Sequence, residues 1–280
     1  MSGGIHPVIP ARNDWVTVAA VAVLTYALGS IVHEGLGHGG ACLIVGGIPR
    51  ELSSMDFDCD LHGLGASAEK IVAAGGTVAN LIFGLGALAL YRRIPVTSSP
   101  LRRFSVWLFA AVNLMTGTGY FLFSGVGGIG DWAVAIEGLK PLWLWRGVLA
   151  LGGGALYFVT TTYLFNAIGP LIGAARPERY RRALGLATVS YIAGGALSLL
   201  AGFRNPAGLA LVAISGAAAS LGGTSGLAWG PQMLRGTPTP LVDSPANDPP
   251  VIARSWPVIA IAGAASVVFI LILGHGVYFH

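Results

Sequence analysis

The chain has 280 residues, of which 54% are hydrophobic and only 10% charged, and its net charge is +4. Soluble domains carry roughly a quarter charged residues, so with a mean hydropathy of +0.71 a soluble enzyme or binding module is excluded. The basic residues sit in short loops, where they read as determinants of membrane topology and not as a nucleic-acid surface.

Apolar runs long enough to cross a bilayer as helices predict seven segments, near 15–45, 70–91, 104–126, 142–167, 183–203, 206–230 and 256–278. Lipid offers backbone groups no other partners, so each is expected to be helical. The fold class is therefore all-α, a polytopic helical membrane protein of about seven transmembrane helices. No cleaved signal peptide is expected, because the first apolar run leads straight into a His/Glu cluster. That cluster is His33-Glu34-Gly35-Leu36-Gly37-His38. A charged residue at mid-membrane costs about 3 kcal/mol on insertion scales, which makes intramembrane ionisable groups functional by default. The bland alternative is that the span ends near Val32 and the cluster faces water.

The first loop is acidic, with Glu51, Asp56, Asp58, Asp60 and Glu69 against Arg50 and Lys70. Its spacing fits no complete calcium loop, so it reads as a solvated loop that could gate the site or hold a second cation. Cys42 and Cys59 read as free thiols, with a disulfide as the alternative. The second loop carries Arg92, Arg93, Arg102 and Arg103 with no acid. The fourth and sixth loops are also basic, and the third holds Asp131, Glu137 and Lys140. Under the positive-inside rule the even loops face the cytoplasm, giving a cytoplasmic N-terminus and an extracytoplasmic C-terminus. Asn113 is expected to face a neighbouring helix, and Arg146 to snorkel to the outer interface between Trp143 and Trp145.

In the zinc helix H-E-x-x-H the two histidines are four residues apart, about 40° around the helix, and face one metal. Here His33 and His38 are five apart, about 140° on an ideal helix. A single π-turn would absorb the extra residue, or the helix could unwind at Gly35 and Gly37, where glycine tolerates distortion. With Gly35 deleted the stretch reads H-E-L-G-H-G-G-A-C-L-I-V-G-G, which resembles the metal-binding helix of the site-2 protease family of intramembrane zinc metalloproteases. The resemblance implies that His33 and His38 bind Zn2+ and that Glu34 is the catalytic base. Gly76-Thr77-Val78-Ala79-Asn80 is similar to the family's Gly-x-x-x-Asn stretch, with Thr77 where Pro is usual, and implies that Asn80 orients substrate or an oxyanion. A helix–helix hydrogen bond is the alternative for Asn80.

The family's third ligand is an Asp in an Asn-x-x-Pro-x-Asp-Gly region, which is not intact here. Asp131, at the end of a glycine-rich stretch, is the candidate. It would return to the bilayer in a protein-covered turn, or else simply cap a helix starting at Trp132. The resemblance covers roughly half the chain. It divides the chain into a metal-site core over 1–140 and a further helical bundle over 141–280 in the same membrane domain. The charge count places the site toward the outer face, whereas family members keep it toward the cytoplasm. The expected function is a zinc metallopeptidase acting on a transmembrane or membrane-adjacent polypeptide. The alternatives are a non-catalytic subunit of a larger membrane complex descended from such a protease, and a proton or metal transporter.

Overall fold

A computed structural model describes residues 12–173, 178–206, 208, 220–235 and 250–280. Among these, six helices are long and apolar enough to cross a membrane: Trp15–Ile44, Ala66–Arg93, Pro100–Gly127, Leu142–Ala167, Glu178–Gly202 and Trp256–Leu273. The chain is an all-α membrane protein. Six of the seven expected segments coincide with these helices, the first reaching Ile44. The segment expected over 206–230 lies partly outside the described residues.

The first span is three pieces in one run: α1 (Trp15–Ser30), a π-helical segment (Ile31–Gly39) and α2 (Gly40–Ile44). Asp14 opens it, its carboxylate accepting from the Thr17 backbone N–H at 2.8 Å, which satisfies one of the first-turn donors that a helix leaves unpaired. The acidic first loop is a hairpin of β1 (Ile48–Leu52) and β2 (Phe57–Asp60). Cys42 and Cys59 are joined in a disulfide, which corrects the free-thiol expectation. The hairpin carries Cys59 back over α2, where both cysteines pack with Val72 and Phe57.

Helices α3 (Ala66–Arg93) and α4 (Pro100–Gly127) follow as an antiparallel pair. A proline in the first turn starts α4, and Gly128, at φ 66°, ends it in a left-handed conformation that glycine adopts without a Cβ clash. Arg146 donates to the Gly125 and Val126 carbonyls at this end. It caps α4 instead of snorkelling, because the helix terminus offers carbonyls that lack intrahelical donors. A short helix α5 (Asp131–Ala135) leads to α6 (Leu142–Ala167). Next come α7 (Gly169–Ile172), α8 (Glu178–Gly202), α9 (Gly226–Trp229) and α10 (Trp256–Val268), which continues as a second π segment (Phe269–Leu273). The chain closes with β3 (Val277–Tyr278), which pairs antiparallel with β1 and makes a three-stranded sheet of order β2-β1-β3.

The core lies among α1, α4, α6 and α8, with Val18, Trp107, Leu108, Phe165 and Leu186 buried together. Large apolar side chains elsewhere on the spans are exposed, among them Leu28, Ile82, Phe83, Leu151, Phe158, Val159 and Ile192. An apolar surface of this kind suits contact with lipid hydrocarbon and would be a liability in water.

Candidate metal centre

The extra residue between the histidines is taken up where the sequence has it. Residues 31–39 adopt the wider π-helical winding, in which residues five apart stand roughly one turn apart. His33 and His38 therefore face the same way, with ring centroids 4.8 Å apart. His33, Glu34 and His38 are all buried, and their ligating atoms lie within 4.8 Å of one another.

The two glycines inside the cluster differ in role. A Cβ on Gly35 would meet only ordinary contacts, at 3.8 Å from Leu52 and 3.9 Å from Ile31. A Cβ on Gly37 would lie 2.5 Å from Gly76 Cα and 2.8 Å from the Gly75 carbonyl. Gly37, Gly75 and Gly76 together let the π segment and α3 cross backbone to backbone. Gly76 has a second duty, since a Cβ there would stand 2.5 Å from His38 Nε2 and 2.6 Å from His33 Nε2. A small residue at that point of α3 leaves room for the imidazoles. The adjacent pair Gly75-Gly76 is its sequence signal.

Asp131 is carried to the same place by the first turn of α5. Gly130, at φ 81°, makes the turn, and Trp132 anchors α5 by donating its indole N–H to Thr77 Oγ1 at 3.0 Å while packing on Phe121. The residue in place of the usual proline thus holds the segment that bears the carboxylate. Asp131 Oδ2 lies 3.2 Å from His33 Nε2 and 3.5 Å from His38 Nε2. It is buried and finds no hydrogen-bond donor among the described residues. Glu34 Oε2 is 3.9 Å from His38 Nε2.

These distances were tested against a cation. Donors around a tetrahedral zinc, at about 2.0–2.1 Å each, stand about 3.3 Å from one another, and the two contacts of Asp131 bracket that value. His38 Nδ1 is 2.7 Å from the Val72 carbonyl. A carbonyl can only accept, so Nδ1 carries a proton and Nε2 is the nitrogen that faces Asp131. The other ring nitrogen of His33 is 2.5 Å from Asn80 Oδ1, and Tyr120 stacks on its ring at 4.8 Å. Metal-bound histidines are held this way, by a partner on the nitrogen that does not ligate. Two imidazole Nε2 atoms and a carboxylate oxygen that converge on one point fit a bound cation.

Two cavities meet the cluster. One, of about 70 Å³, touches His33 and Glu34 and is lined with Tyr26, Ser30, Thr116, Ser198 and Thr224 among others. The other, of about 740 Å³, touches His38 and Asp131 and runs beneath the hairpin past Asp56, Asp58 and Glu69. Burial pushes the Asp56 carboxyl above its ordinary range; His38 pulls it down and Asp58 pushes it up. Asp60 points away and pairs with Arg50. Asn80 is 1% exposed, its amide engaged with His33 and Asn113, so it stands behind the histidine and not in either cavity. Asn113 meets a neighbouring helix as its place in an apolar span predicts.

No protein-family model matches the chain, and no curated protein or solved structure matches it.

Proposed function

We propose that the chain is a membrane-embedded zinc metallopeptidase. The observation that carries this reading is the convergence of His33 Nε2, His38 Nε2 and Asp131 Oδ2, with a buried glutamate beside them. Three protein ligands leave a fourth position open, as catalytic zinc sites do and closed structural sites do not. His33, His38 and Asp131 would hold the ion. When bound, zinc supplies a Lewis acid that polarises a carbonyl and acidifies water. Glu34 accepts the proton of the attacking water and delivers it to the amide nitrogen as the C–N bond breaks, so the peptide bond is exchanged for a carboxylate and an amine. Burial of the cluster excludes bulk water and strengthens each charge–dipole contact. Asn80 holds His33 and takes no direct part.

The substrate is a transmembrane or membrane-adjacent polypeptide, reaching the ion through the cavity under the hairpin. The bilayer is the first partner, and a larger membrane complex would fit the apolar flanks. We place the N-terminus in the cytoplasm and the C-terminus outside. The Cys42–Cys59 disulfide on the hairpin side supports this orientation, since disulfides persist in oxidising compartments.

The test is metal content of detergent-purified protein followed by cleavage of co-expressed single-span reporter proteins. About one zinc per chain is expected, lost in His38→Ala. Glu34→Gln should keep the zinc and lose about 100-fold or more in rate, the scale of a general base. Absence of metal after gentle purification, unchanged in His38→Ala, sinks the zinc centre. Bound metal without cleavage by any chain shifts the reading to a transporter or a scaffold.

A further inference from the structure

We propose that Asn113, in the middle of α4, is a positioning residue that acts through Asn80 to fix which nitrogen of His33 carries the proton. An amide side chain can be turned end for end, and a neutral imidazole can hold its proton on either nitrogen. A contact between Asn80 and His33 therefore does not by itself say which nitrogen ligates. The direction is set one step further back. Asn113 Nδ2 lies 2.9 Å from the Phe109 carbonyl of its own helix. That carbonyl can only accept, so this end of Asn113 must be the NH2, and its Oδ1 is the acceptor. Asn80 Nδ2 donates to that oxygen at 2.8 Å. The amide of Asn80 is thereby oriented with Oδ1 toward His33 Nδ1, at 2.5 Å. An oxygen with no proton to give requires Nδ1–H on His33, which leaves Nε2 as the nitrogen that faces Asp131 Oδ2.

The chain Phe109–Asn113–Asn80–His33 has one polarity, and it is anchored on a backbone atom that cannot flip. Asn113 and Asn80 are 0% and 1% exposed, so water cannot substitute for either partner. His38 has the same arrangement without the two amides, directly on the Val72 carbonyl. Both imidazoles are thus delivered in the Nδ1–H form, one by backbone and one by a two-amide relay from the neighbouring helix. The consequence for ion affinity rests on the metal reading above; the tautomer of His33 does not.

The experiment has two readouts on full-length protein. Imidazole nitrogen NMR of 15N-histidine-labelled protein, with the His33 signals assigned by loss in His33→Gln, should show a proton on Nδ1. In Asn113→Leu the Asn80 amide is free to turn, and the His33 signals should move to a mixture of tautomers. Zinc affinity, read by competition with a chelator, should fall about tenfold, the scale of losing a partner behind a ligand. Asn80→Asp placed in the Asn113→Leu chain should restore affinity to within about threefold, because a carboxylate presents an acceptor to His33 whichever way it turns.

Asn113→Ala removes the same acceptor with a smaller side chain and should shift the His33 signals and the zinc affinity as Asn113→Leu does. It also serves where Asn113→Leu does not fold, as judged by thermal unfolding. A His33 signal of the Nε2–H form, an unchanged tautomer in Asn113→Leu, or failure of Asn80→Asp to rescue would each overturn the relay and leave Asn113 as a packing contact. Should the parent bind no zinc, the metallopeptidase reading falls, while the NMR result still decides the relay.

Discussion

Gly76 illustrates how little the chemical residues alone define the centre. Its missing Cβ is the space in which the two imidazoles turn toward Asp131, with clearances of 2.5–2.6 Å to the nearest ring atoms. Gly76→Ala is expected to reduce bound zinc to well below one per chain by elemental analysis, with helix content by circular dichroism unchanged. At the cytoplasmic end proposed for α1, Asp14 accepts from the Thr17 N–H and hydroxyl and pairs with Arg254. The Thr17 backbone and hydroxyl bonds, helped by Arg254, hold its carboxyl below the ordinary 3.8. A carboxyl depressed by folding stabilises the fold above its unfolded pKa and loses that contribution as pH falls through the folded value. Asp14→Asn should therefore flatten the fall of thermal stability as pH drops from about 4 downward, while leaving the pH 7–8 plateau shape unaltered. A parallel acid limb in both chains would show that Asp14 carries no linkage.

At the scale of the element, the π segment does the work of register. It holds one residue more than an α-helix would between the ligands, and that residue costs nothing in packing at Gly35. Gly35→Ala should be tolerated, and even stabilise by about 0.5–1 kcal/mol through the loss of glycine's chain entropy. Gly37→Ala meets the backbone of α3 and should destabilise by about 1–3 kcal/mol, the range of overpacked sites. Chemical unfolding in mild detergent separates the two. Deleting Gly35 restores four-residue spacing and an α-helical run, in which both histidines again share a face. That chain is expected to keep one zinc, while a further alanine inserted beside Gly35 should lose it. Gly37 has a further duty that the sequence did not announce, the close crossing with α3.

Over the whole molecule, the hairpin is fixed to the helices at two points. The disulfide ties β2 to α2, and β3, at the end of the chain, adds a strand to β1. Phe57 covers Gly39 of the π segment, where an added Cβ would stand 3.1 Å from its ring, so the hairpin is seated on the segment that bears His33 and His38. The disulfide closes a loop of 17 residues in sequence separation, for which chain entropy gives about 3 kcal/mol. Cys42→Ser with Cys59→Ser should lower the melting temperature accordingly, and the parent should resist maleimide labelling until reduced. Reporter fusions at the N- and C-terminal ends should report opposite sides of the membrane. Both ends on one side would overturn the proposed orientation.

By itself the sequence determined the solvent and the reagent. Low charge and long apolar runs left only helices in lipid, and two histidines bracketing a glutamate in such a run marked the centre, because ionisable groups are too costly there to be idle. Only the tertiary structure decided how those residues meet. The facing of His33 and His38 depends on a local change of helical winding, Asp131 on a turn docked by Trp132 against Thr77, and the Nδ1 proton of His33 on an asparagine relay from another helix. The pairing of Cys42 with Cys59 depends on a hairpin that an acidic loop does not announce. Most of these are contacts between residues far apart in the chain, which composition and spacing do not constrain; the winding is a backbone geometry with near neighbours in energy, for which the five-residue spacing offered a π-turn or an unwound helix and the structure chose the first.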